Sequence, residues 1–299
     1  MAGDGGPDGP GAKGGWRRTG SLDEFLAAAG PFLRSRPALH TVALTVTDGL
    51  VRRGLDLYGD EPPRFGWHEA PGEVPAALLW TPPFAPMLIG GDEAAARGLA
   101  RVLAEAGGPA PGGIGARVEQ AGAFAGEWAR LTGRAARRTF RKRLYRLGAL
   151  TRPTAPPGRA RVAGEGDRTT LERWHDGFAA DVGLTVGFGA AAWADAGLAR
   201  GGIRLWEDGG LPVAMAVATP PAAGAVRITT VYTPPHLRGR GYAGAVTADL
   251  SARIVAGGDE AVLFTDSANP TSNGLYRRLG YEPLADFAEY AFGADPKSP

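Results

Sequence analysis

Two short stretches hold the side chains with the clearest chemical potential. The first is RGRGYA, Arg238 to Ala243, which stands directly before a helical pattern. Backbone N–H groups at glycines and at a helix start converge on an anion, and glycine lets the backbone approach closely. Arg238 and Arg240 add charge-assisted donors. The second is NPTSNGLYRRLGY, Asn269 to Tyr281. Asn273 and Tyr276 stand three apart and share a helix face, while Leu275 and Leu279 share another. One face is apolar and the other offers an amide and a phenol. A phenol held within hydrogen-bond reach of a leaving group can serve as its acid.

The pattern of Arg, two residues, Gly, one residue, then Gly or Ala carries no meaning by itself in a chain with 47 glycines. It also occurs as RLTGRA at Arg130 and RVAGEG at Arg161. Context separates the copies. The Arg130 copy ends a helical pattern with no strand before it. The Arg161 copy follows a short strand, but Glu165 and Asp167 put like charges where a phosphate would sit. Only before Arg238 does a long β-branched strand, AVRITTVYT, run in and stop at Pro234-Pro235, with no acid nearby. The plain alternative is an ordinary Arg/Gly turn at 238–243 and a packing tyrosine at 276.

These stretches need elements to hold them. TRPTAPPGRAR, Thr151 to Arg161, is Pro-rich and aperiodic and reads as a linker. It separates a domain over 16–150 from one over 159–295, with 151–158 as the connection and 1–15 as a disordered Gly/Pro leader. In the second domain the expected order is strand 160–163, helix 168–182, helix 190–200, a hairpin of 203–207 and 212–219 across DGG, and strand 225–233. A helix after Gly241, a strand at 261–266, the Asn269–Tyr281 helix and a last strand at 285–292 follow. Asn269 is a good N-cap, Pro270 fits the first helical position and Gly280 fits the stop. The fold class is therefore α/β, with a sheet of mixed direction.

The first domain gives a weaker version of this order. Helical pieces lie around 21–33 and 36–53, RFGWHE and AALLWTP frame a hairpin, and PMLIGG is a short strand. DEAAARGLARVLAEAGG is a helix capped by Asp92 and stopped near Gly107. GIGARV reads as a strand and EQAGAFAGEWARLTG as a helix. RRTFRKRLYRL fits a strand or a helix. This suggests duplication of a whole domain.

Taken together, the strand with RGRGYA and helix, and then NPTSNxxYRRLGY, resemble the GNAT superfamily of acyl-CoA-dependent N-acyltransferases. The resemblance covers roughly 160–295. It implies that backbone amides of Arg238, Gly239, Arg240, Gly241, Tyr242 and Ala243 hold the pyrophosphate of acetyl-CoA. It implies that Val231, Tyr232 and Thr233 pair with the pantetheine arm as an added strand does. Asn269 and Asn273 fall on the cofactor side, with Asn273 bonding the arm. Tyr276 would protonate the departing thiolate. If the first domain is a degenerate GNAT-like unit, it has lost the cradle, since DEAAARG is acidic where phosphate would bind. Direct attack by an amine is expected, since the chain has no Cys and no G-x-S-x-G motif.

Other residues carry less. Glu207, Asp181 and Asp266 are candidates for a base, each competing with a solvated or capping role. His40, His68, His175 and His236 are scattered without metal-ligand spacing, so no metal is expected. Trp206 either lines an acceptor pocket or packs. The basic run at 134–146 offers Phe140 and Tyr145 for stacking on RNA, against a plain solvated strand.

Composition bounds the remainder. The formal charge of +2 speaks against a whole-surface nucleic-acid binder. No apolar run approaches the ~20 residues of a membrane span, and the leader has no apolar segment of the signal-peptide kind. A cytoplasmic home is expected. The leading reading is an acetyl-CoA-dependent N-acetyltransferase acting on a primary amine. The alternatives are a non-catalytic acyl-CoA sensor or partner-binding module, and a tandem-GNAT aminoacyl transferase using charged tRNA.

Overall fold

A computed structural model of the chain describes residues 15–183 and 189–293. Apart from Gly15, the expected leader lies outside the described residues. The first half supplies β1 (Trp16–Thr19), α1 (Leu22–Ser35), α2 (Thr41–Arg53), β2 (Arg64–Ala70), β3 (Glu73–Trp80) and β4 (Met87–Gly90). It continues with α3 (Glu93–Glu105), β5 (Gly113–Arg117), α4 (Val118–Thr132) and β6 (Ala136–Leu147). The second half supplies β7 (Arg159–Val162), α5 (Arg168–Val182), α6 (Ala190–Ala199), β8 (Ile203–Asp208), β9 (Leu211–Ala218) and β10 (Ala225–Tyr232). It ends with α7 (Tyr242–Ala256), β11 (Glu260–Asp266), α8 (Pro270–Arg278) and β12 (Tyr281–Phe292).

Short 3-10 turns aside, both halves run β-α-α-β-β-β-α-β-α-β. The mixed α/β class and its element order are as the hydrophobic periodicities require. The basic run resolves as strand β6. Strand β1 is the element that the pattern did not show. It is four residues long with two exposed arginines, and pairing with β2 makes it a strand.

By contacts the chain divides into two compact units that are not sequential. One takes the chain up to residue 32, residues 59–139, and residue 289 onward. The other takes 33–58 and 140–288. In the first unit β1 to β5 neighbour one another in sequence order, antiparallel as far as β4 and parallel between β4 and β5. The end of β12 lies beside β5, with Phe292 N–H donating to Gly112 O at 2.9 Å. Phe292 also stacks on Phe124 and Trp128 of α4, with ring centroids 6.0 and 5.7 Å away.

In the second unit the order is β7-β8-β9-β10-β11-β6. It is antiparallel up to β10, parallel between β10 and β11, and antiparallel again where β11 meets β6, from Val262↔Arg146 to Asp266↔Lys142. The last strand of each half thus sits beside the penultimate strand of the other half.

The second unit has two apolar layers. One packs Val246, Leu250 and Ile254 of α7 with Val226 and Ile228 of β10. These three α7 residues lie four apart, so one stripe of the helix meets the sheet. The other layer joins Leu171 and Trp174 of α5 to Met215, Val217 and Tyr232. Helix α2 also belongs here, since Arg227 of β10 donates from Nη2 to Thr45 Oγ1 at 3.1 Å. The 151–158 segment has no regular structure and is tied down by Trp206 Nε1–H to Pro157 O at 2.9 Å. Among the described residues, no helix is long and apolar enough to cross a membrane.

Candidate functional site

The site begins where two parallel strands part. Strand β10 pairs with β11 from Ala225↔Glu260 to Ile228↔Leu263. Both strands continue, β10 to Tyr232 and β11 to Asp266. Against β9, the register of β10 shifts between Ile228 and Thr230. Thr229 is the extra residue, and such a bulge bends and twists the strand that carries it. Strand β10 therefore turns away, while β11 stays with β6. The ladder's end leaves the β11-side backbone of Thr229 to Tyr232 as an edge to which an extended chain can add.

The loop after β10 is braced by its own arginine. Arg238 Nε–H donates to Thr233 O at 2.9 Å, its guanidinium pairs with Asp181, and it lies 5.9 Å from the Tyr232 ring centre. What Arg238 offers an anion is therefore its backbone. Arg240 stays exposed, with a 3.4 Å contact from Nη2 to His236 O.

Gly239 and Gly241 sit at φ +78° and +85°. An added Cβ would meet nothing within 4 Å at Gly239, and only Pro156 at 3.9 Å at Gly241. Dihedral angle, not crowding, demands glycine there, and the space over the loop is open. Gly241 is the N-cap of α7 and has no side chain to cap with. The first intrahelical bond is Ala245 N–H to Gly241 O, so the N–H groups of Tyr242, Ala243 and Gly244 lie ahead of the ladder. The helix start is anchored by Tyr242, whose hydroxyl donates to Asp208 Oδ2 at 2.6 Å. That hydrogen bond is the main cause that raises the Tyr242 pKa.

The matching point of the first unit is different. Strand β4 ends at Gly90, Gly91 follows it, both at positive φ, and helix α3 comes next. There Asp92 is the N-cap, and its Oδ1 accepts from Ala95 N–H at 2.8 Å. A carboxylate already occupies the anion position of α3. At α7 that position has no side chain.

Helix α8 forms as its sequence signals require. Asn269 caps it by accepting from Ser272 N–H at 3.0 Å, and Pro270 opens it. Asn273 is buried and its amide is used up inside the protein. Its Oδ1 accepts from Tyr145 Oη–H and Thr265 Oγ1–H, both at 2.8 Å. Its Nδ2 donates to Asp266 O at 2.9 Å and Asn269 O at 2.6 Å. Two acceptor and two donor places are all an amide has. The expectation that Asn273 bonds the cofactor arm meets an amide already saturated.

Tyr276 is 8% exposed. Its ring meets Tyr281 edge to face at 5.9 Å, and its hydroxyl makes no hydrogen bond among the described residues. Burial first, and Tyr281 second, push its pKa well above the ordinary phenol value.

None of the three candidate bases is free. Glu207 accepts from Arg161 at 2.5 Å and Arg159 at 3.3 Å, and the Arg161 bond holds its carboxyl below the usual range. Asp181 pairs with Arg238, and Asp266 Oδ1 accepts from Ala268 N–H at 2.8 Å, ordering the turn. Trp206 is core, not pocket lining, buried at 7%. In the basic strand, Arg143 makes a two-point pair with Asp286 at 2.6 and 2.8 Å, and Lys142 lies 5.5 Å from the Phe264 ring centre. No group of three or more His, Asp or Glu is placed to hold a metal among the described residues.

Tyr145, Thr265 and Asp208 support the site, and the sequence did not single them out for it. Thr265 was visible as one polar residue in an apolar strand. Tyr145 was visible as an aromatic in the basic run. Their shared partner is not a sequence property.

Residues 214–290 match the family model described as FR47-like protein. No curated protein matches the chain. Solved structures do. A GCN5-related N-acetyltransferase from Sphaerobacter thermophilus superposes with a TM-score of 0.58 at 18% identity, over 95% of this chain and 98% of that one. An acetyltransferase of the GNAT family from Colwellia psychrerythraea gives 0.57 at 12% identity, over 93% and 99%. A tandem GNAT protein from the clavulanic acid biosynthesis pathway gives 0.53 at 13% identity, over 96% and 100%. The fold is that of the GNAT superfamily. At these identities the likeness is one of fold. Both halves of the chain run the same element order, with α3 and α7 in equivalent places.

Proposed function

We propose that this protein is an N-acyltransferase that moves an acetyl group from acetyl-CoA to a primary amine, with one active site in the second unit. The observation that carries this reading is the contrast between the two equivalent helix starts. Helix α3 is closed by the Asp92 carboxylate, and α7 is open behind two glycines at positive φ. A diphosphate supplies the negative charge that an uncapped N-terminus lacks.

The residues fit an acyl-CoA. The N–H groups at the start of α7 and the glycine backbone suit its phosphates. The free edge of Val231 and Tyr232, leading to Thr233, suits the amides of its arm. Tyr276 lies on α8, the helix that follows β11. The chemistry joins the amine nitrogen to the acyl carbon, breaks the carbon–sulfur bond, and moves one proton from nitrogen to sulfur. A thiol titrates near ~8.5, well below buried Tyr276, so full proton transfer from the phenol alone is uphill. Tyr276 therefore acts first as a hydrogen-bond donor to the developing thiolate, and the proton lost by the amine replaces the one it gives. Asn273 acts as a positioning residue, fixing α8 to β11 and β6.

Titration calorimetry with acetyl-CoA and desulfo-CoA, on the wild type and on Gly241→Glu, tests the cradle. Saturable wild-type binding that the variant loses is the expected result. No binding at millimolar ligand would sink the proposal. Release of thiol in the presence of amines separates an enzyme from a sensor that binds without turnover.

A further inference from the structure

The first unit contains a cavity of about 320 Å³ that the acyl-transfer reading does not use. Its walls follow from strand register. Arg18 pairs with Gly66, Gly66 with Leu78, and Arg64 with Trp80. Paired residues in an antiparallel sheet share a face, and so do residues two apart along a strand. Arg18, Arg64, Leu78 and Trp80 therefore stand on one face, and the end of α3 with Gly107 closes the other side. Gly66 allows this, because a Cβ there would lie 2.7 Å from Arg17 O.

The cations are only partly neutralised, by one exposed ion pair between Arg64 and Glu61. Arg64 lies 4.5 Å over the Trp80 ring, and its Nη1 is buried with no hydrogen-bond partner. Its Nη2 has a single contact, Glu61 at 3.4 Å, at the long limit of a hydrogen bond. Arg18 is exposed and has no ion-pair or hydrogen-bond partner among the described residues. Cation–π contact orients a guanidinium but leaves its in-plane donors unused. A buried guanidinium N–H without an acceptor is costly, and an oxyanion relieves that cost with two-point geometry. Beside it, Leu78 and Trp80 offer an apolar wall. The volume is at the lower end for pockets that hold small molecules, ~300 Å³ and above.

We propose that this cavity is a second, separate binding site, for a small organic oxyanion with an apolar or planar body, held by Arg18 and Arg64 against Trp80. Benzoate and phenyl phosphate are the probes, on the full chain, with benzyl alcohol as the uncharged control and inorganic phosphate as the control without a body. Calorimetry should show saturable one-to-one binding of benzoate or phenyl phosphate, and their ratio identifies the preferred head group. Arg64→Met and Arg18→Ala should each weaken it about tenfold or more, as expected for a lost charged hydrogen bond. Gly20→Glu at the rim should do the same by repulsion. A Cβ at Gly20 meets nothing within 4 Å and its φ is not in the left-handed region, so the fold tolerates the change. Acetyl-CoA affinity should stay unchanged in all three. No saturation by either probe overturns the proposal. So does equal binding of benzyl alcohol, equal binding of inorganic phosphate, or indifference to the exposed Arg18→Ala change.

Discussion

Replacing Asn273 by Ala separates two roles that its position on α8 permits. If the amide is a clamp, the change orphans two buried hydroxyls. Tyr145 is fully buried and Thr265 is 6% exposed, so water does not replace the lost acceptor. The two carbonyls suffer less. Asn269 O still accepts from Asn273 N–H, and Asp266 O from Asn269 N–H, both at 3.1 Å. Each orphaned hydroxyl costs ~1–3 kcal/mol, so the variant should lose roughly 3 kcal/mol. For a chain of this size that lowers Tm by roughly 5–10 °C. Calorimetric melting measures it. Tyr145→Phe removes one of the partners, so Asn273→Ala should cost ~1 kcal/mol less in that background. Acetyl-CoA titration on the same variants completes the test. An unchanged Tm with acetyl-CoA affinity down tenfold would refute the clamp and make the amide a ligand contact.

Three further outcomes are expected. Tyr276→Phe should lower kcat by ~10²-fold while leaving acetyl-CoA affinity within about twofold, since the ring and its contact with Tyr281 remain; steady-state kinetics with titration checks this. Burial pushes the Tyr281 hydroxyl up to about 12. Its contribution to stability is thus fully present below pH 10 and is lost as pH rises toward 12, because the unfolded phenol ionises first. That share of the slope amounts to roughly 2–3 kcal/mol, and urea titrations between pH 9 and 12 should show a loss smaller by about that amount in Tyr281→Phe, the remainder coming from the other raised tyrosines. Glu207 is held below its ordinary 4.5, mainly by the Arg161 hydrogen bond. Its contribution is present above pH 4.5 and is lost as pH falls, so Glu207→Gln should flatten the acid side of the stability profile. The acid-side, rising limb of kcat/KM, where a catalytic base titrates, should not move in that variant, and its loss or shift would restore Glu207 as the base.

Most of the element order could be read from the chain alone. Strands such as β10 are rich in β-branched residues, helices such as α7 carry an apolar stripe, and Asp92, Asn269 and Gly280 mark helix ends. These are local effects, decided within a few residues. Strand β1 escaped because WRRT has no apolar alternation and is held by distant partners, its pairing with β2 and the Trp16 Nε1–H bond to Ala95 O of α3. The three copies of the Arg/Gly pattern were sorted in the same local way, by what precedes them and by which acids stand near.

The sequence by itself determined that residues 238–243 form a glycine-rich turn at a helix start and that Asn273 and Tyr276 share a face of α8. Only tertiary structure decided what those groups face. Parting of β10 from β11 depends on a bulge whose register is set against β9. The saturation of Asn273 depends on β6 lying beside β11, which is an exchange of last strands between the two halves. Arg238 turned from a phosphate hook into a brace because Asp181, 57 residues away in the chain, stands beside it. In each case the partner is distant in sequence, and no local propensity encodes it.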